Sequence, residues 1–77
     1  MNDYLEGNVQ VINVLRAQVE IIEGKELPMA RSKADVCRAS GWSWLESYFT
    51  SYANRLEYEM QQMKIIIDRQ LDANAAR

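Results

Sequence analysis

The apolar positions Leu45, Phe49, Tyr52, Leu56, Met60, Met63, Ile67 and Leu71 recur without interruption through the second half of the chain, and no Pro or Gly falls among them. Their mean step of about 3.7 residues is the period of one helix face and excludes a strand. It favours a straight or slightly right-handed helix over a left-handed heptad repeat. Ser43-Trp44-Leu45-Glu46 has the spacing of a capping box. A helix is therefore expected over about 44–73, roughly 45 Å long at 1.5 Å per residue. A compact chain of 77 residues has a radius of gyration of about 11 Å. The helix outruns such a body, so something outside the chain is expected to cover it.

The first segment, about 3–23, reads the same way. Asp3 and Glu6 have capping-box spacing, and Leu5, Ile12, Leu15, Val19 and Ile22 line one helical face. A second stripe holds Tyr4, Val11, Val14 and Ile21. A helix apolar on two sides is expected to be covered on two sides. Val9–Val14 is rich in β-branched residues and offers a strand as the alternative. Gly7 costs roughly 1 kcal/mol against Ala, which makes Asn8 a second candidate start.

Gly24 and Pro28 predict a break at 24–28, the glycine as a C-terminal cap and the proline as a first helical position. A short helix over about 29–40 follows, ending at Ser40-Gly41. Its buried side is expected to hold Met29, Val36 and Cys37, with Ala30, Ala34 and Ala39 as small neighbours. The fold class is thus all-α, a single helical domain. The first and third helices form a hairpin, the short middle helix caps one end, and two such hairpins pair as a dimeric bundle. Leu56, Met60, Met63 and Ile67 are the expected dimer interface.

Chemistry is excluded more firmly than it is suggested. The chain has no histidine and one cysteine, Cys37, so neither a nucleophile–histidine pair nor a histidine-based zinc site can be built. Glu20/Glu23 and Glu57/Glu59 fall off the apolar stripes and read as solvated faces. No catalytic residue, cofactor or metal is expected. An unpaired cysteine and an opening Met1-Asn2-Asp3-Tyr4 without a basic or apolar run point to a reducing, cytoplasmic location. Ile65-Ile66-Ile67, the longest aliphatic run, is too short for a membrane span.

Most of the aromatic residues sit between Trp42 and Tyr58. Phe49 and Tyr52 belong to the long stripe, whereas Trp44 and Tyr48 are rotated away from it. Exposed residues of these types are common anchors of protein interfaces. Trp42, Trp44 and Tyr48 are therefore expected to contact a protein partner, with Arg31 and Arg38 at the rim. Net charge is −2, yet Lys25, Arg31, Lys33 and Arg38 make the middle locally basic. Ser32–Ser43 resembles the first helix and turn of a helix-turn-helix, with Val36, Cys37, Gly41 and Trp42 in the matching places. That resemblance implies a small dimeric DNA-binding regulator, with Arg31, Lys33 and Arg38 on phosphates. The following helix, however, places Trp44, Glu46, Tyr48 and Phe49 where base recognition uses Arg, Lys, Asn or Gln. The expected function is a homodimeric helical adaptor or inhibitor. In size and class it is like the short proteins that phages and mobile elements use to occupy a host protein. Nucleic-acid binding is the alternative.

Overall fold

The structure, a computed structural model, describes the backbone of residues 2–75 and the side chains of residues 9–73. Among the described residues there are helices and no strand. Helix α1 spans Asn2–Ile21, a π-helical turn covers Ile22–Glu26, α2 spans Leu27–Ala39 and α3 spans Ser43–Ala75. The Val9–Val14 run is helical despite its β-branched residues. The side chains of Tyr4 and Leu5 and the Asp3–Glu6 capping box lie outside the described residues.

The break expected at 24–28 is absent, and with it the separate middle helix. Ile21 and Leu27, on either side of the π turn, both hold right-handed helical dihedrals. The first arm is therefore continuous from Asn2 to Ala39. Pro28 has no N–H, and in a regular α-helix its ring would press on the carbonyl of Gly24. The wider turn relieves this: the Leu27 N–H donates to the Ile22 carbonyl, five residues back instead of four. Nor does Gly24 adopt the left-handed conformation of a cap. Among the described residues only Gly41 has a positive φ, of 77°.

These two glycines should respond oppositely to alanine. At Gly24 an added methyl meets nothing within 4 Å, so Gly24→Ala should raise stability by about 0.5–1 kcal/mol. At Gly41 the left-handed backbone should make Gly41→Ala cost about 1–2 kcal/mol. Denaturant melts of the two variants check this, and effects of the same sign would contradict it.

Gly41 closes the first arm. The Trp42 N–H donates to the Cys37 carbonyl at 2.9 Å and the Gly41 N–H to the Arg38 carbonyl at 3.2 Å, the paired bonds of a Schellman motif. The Trp42 carbonyl then accepts from the Glu46 N–H at 2.9 Å. Trp42 is thereby the N-cap of α3, and Ser43 is already helical. The capping box expected at Ser43–Glu46 gives way to an ion pair, with Arg38 Nε donating to the Glu46 carboxylate at 2.9 Å.

Further ion pairs join Arg31 to Glu57 at 2.6 Å and Glu23 to Lys64 at 3.4 Å. Residue numbers fall along α3 as they rise along the first arm, so the arms run antiparallel in a rod of 57 × 15 × 14 Å. Its radius of gyration is 17.0 Å, well above the compact value of about 11 Å.

Between the arms lies a single seam. It takes Ile12, Leu15, Val19 and Ile22 from one side and Ala53, Leu56, Met60, Met63 and Ile67 from the other. On α3 these alternate in steps of three and four, the heptad spacing of about 3.5. The longer period expected from the sequence counted Tyr52 and Leu71. Ala53 joins the seam beside Tyr52, which packs half-buried against it, while Leu71 is exposed. Leu56, Met60 and Ile67, expected to meet a second copy, are buried within the chain, and Met63 packs half-buried against them. The chain's own first arm covers them.

On the first arm, Ile22 and the next deeply buried residue, Ala30, are eight apart, one more than a heptad. The π turn absorbs that extra residue and keeps both halves of the arm facing α3. As a result Ala30 and Ala34 are buried and Cys37 is half-buried, whereas Met29 and Val36 are exposed. This reverses the expectation for Met29 and Val36. Small residues at Ala30, Ala34 and Ala53 suit a close approach of backbones, and α2 packs on α3 more extensively than α1 does.

Candidate docking surface

The turn between the arms presents the aromatic residues. Trp42, at the N-cap of α3, is exposed because the Schellman motif turns the chain outward there. Trp44 and Tyr48 follow one turn apart on the side of α3 that faces away from the seam, at 75% and 54% exposure. Their rings stack at 5.9 Å with an interplanar angle of 19°, and Tyr48 meets Phe49 edge-on at 5.2 Å. Phe49 belongs to the half-buried layer, so the core holds the inner end of this aromatic row in place.

One turn further, the Arg55 guanidinium lies 5.6 Å from the centre of the Tyr52 ring. Trp44, Tyr48, Ser51, Tyr52 and Arg55 line an open cleft of about 500 Å³. A second cleft, beside Trp42 and Leu45, shares Trp44 as its wall. The structure thus brings Trp42, Trp44 and Tyr48 together.

Arg31 and Arg38 do not rim this surface. Arg31 is held by Glu57, and Arg38 by Asp35 and Glu46. The cation beside the aromatics is Arg55, which with Tyr58 and Gln62 marks the outward side of α3, the docking face expected should Trp44 belong to the core. Its signal is the spacing of Trp44, Tyr48, Ser51, Arg55 and Tyr58 at alternating steps of four and three. That is a second stripe on α3, polar enough to be passed over by a search for apolar residues alone. Lys33 lies 5.7 Å from the Phe49 ring centre.

No family model, curated protein or solved structure matches this chain. Its own chemistry therefore carries the functional reading. Among the described residues no three of His, Cys, Asp and Glu gather as a metal-binding group. No described helix is long and apolar enough to cross a membrane. The segment that resembles a helix-turn-helix folds with α2 and α3 antiparallel, whereas that motif sets its helices at about 90–120°.

Proposed function

We propose that this chain is a small helical adaptor or inhibitor-type protein that works as a homodimer and binds a protein partner through the aromatic end of α3. The observation that carries this reading is the exposed, stacked Trp44–Tyr48 pair next to Arg55. Trp, Tyr and Arg are the residues most enriched among the side chains that dominate interface energy. Two rings already stacked and backed by Phe49 lose little freedom on binding. In class the chain is like small helical regulators, including those of phages, that act by occupying a host protein. The nucleic-acid alternative is weakened because carboxylates hold two of its three phosphate-contacting candidates, Arg31 and Arg38.

Trp44→Ala and Tyr48→Ala should each weaken capture of the partner by about 2 kcal/mol or more, roughly thirtyfold in Kd. Helix content by circular dichroism should stay unchanged. Neutralising Arg31, Lys33 and Arg38 together should have the smaller effect. The reading fails if Trp44→Ala unfolds the chain, or if those three basic residues govern binding and make it fall steeply with salt.

A further inference from the structure

The two flanks of the seam differ in chemistry. One carries the ion pairs Glu23–Lys64, Arg31–Glu57 and Arg38–Glu46. Counted around each helix from the seam, Val14, Ile21, Met29 and Val36 of the first arm stand on the other flank. Their exposures run from 46% to 67%. On α3 the same count places Tyr52 and Ile66 there. A cleft lined by Met29, Lys33, Phe49 and Tyr52 fixes this side, since residues of both arms meet across it. Val9 and Leu71, near the open end, are exposed apolar residues on the ion-paired flank. Among the described residues the remaining aliphatic exposure of the first arm is one-sided.

The amount of uncovered surface fits one partner of the chain's own size. The accessible surface is 5770 Å², and a compact protein of 8.9 kDa exposes about 4,800 Å². The excess, on the order of 1,000 Å², is close to the roughly 800 Å² that each side contributes to a standard interface. Because Glu23 is level with Lys64, Ile21 is level with Ile66, near mid-length of the rod. A two-fold axis at that level overlaps two rods along their whole length and closes the assembly at two.

Resting on the homodimer reading above, we infer that the second copy docks on this flank, with Ile21 and Ile66 at its centre, and not on the Leu56–Ile67 seam. The aromatic cleft at the start of α3 borders this flank, and Tyr52 lines both.

Light scattering at micromolar concentration on the full chain, Ile21→Glu, Ile66→Glu and Gln61→Glu tests this. The native chain and Gln61→Glu, which adds its charge to the ion-paired flank, should have twice the chain mass. Ile21→Glu and Ile66→Glu should each raise the dimer dissociation constant at least about a hundredfold, because a buried unpaired carboxylate opposes association. Each residue is more than 40% exposed in the single chain. Loss of helix together with mass in these two variants therefore reports folding coupled to the same interface. A native chain of single mass overturns both the dimer and its face. A native dimer that survives both glutamates overturns the face alone.

Discussion

Ile22→Ala is expected to cost about 2–5 kcal/mol of folding free energy, as a large aliphatic removed from a packed site does when the neighbours cannot close the gap. At 1% exposure Ile22 is the largest fully enclosed side chain among the described residues. It stands where the π turn begins and Val19, Leu56, Met60 and Ile67 share one cluster. A chain of this length has a total stability of about 4–11 kcal/mol, so the variant should lose a large fraction of it and unfold at much lower denaturant. Equilibrium unfolding followed by circular dichroism measures this. A loss below about 1 kcal/mol would mean that the joint collapses around the smaller residue and is not a rigid part of the core.

Deleting Lys25 probes the extra residue itself. The deletion restores seven-residue spacing between Ile22 and Ala30, but it also forces Pro28 into regular α-helix, at a cost of about 3 kcal/mol or more. Adding Pro28→Ala to the deletion should recover most of that loss, because both halves of the arm would then meet α3 through an unbroken helix. Pro28→Ala in the full-length chain should leave the π turn in place, since a regular helix there would rotate Lys33 onto the seam and Ala34 off it. Comparing the stabilities of the three variants gives the result. Equal destabilisation by the deletion with and without Pro28→Ala would contradict the account of the turn.

The all-helical character was legible because the periodic positions of the first and third segments extend well beyond a strand's length. The second stripe of α1 was legible too: Val11, Val14 and Ile21 are as exposed as a stripe facing outward must be. What misled was local punctuation. Gly24 and Pro28 carry the residue types of a helix stop, yet the chain passes both by widening one turn, a tertiary solution with no signature of its own in residue type. The seam of α2 was misread for a related reason. Met29 and Val36 are the more hydrophobic residues, but the register inherited from α1 and the bulk of Phe49 and Tyr52 opposite favour alanine there. The Leu56–Ile67 stripe was recognised as apolar, but apolarity alone does not say which helix covers it. The flank polarity emerges only once the ion pairs show how the two arms are rotated against each other.

Completion of this rod by a second copy is tested by the thermal midpoint of unfolding, measured by circular dichroism over a wide range of protein concentration. Folding linked to association predicts a midpoint that climbs steadily with concentration. A midpoint that stays constant across the range, with a molar mass of 8.9 kDa throughout, would contradict it.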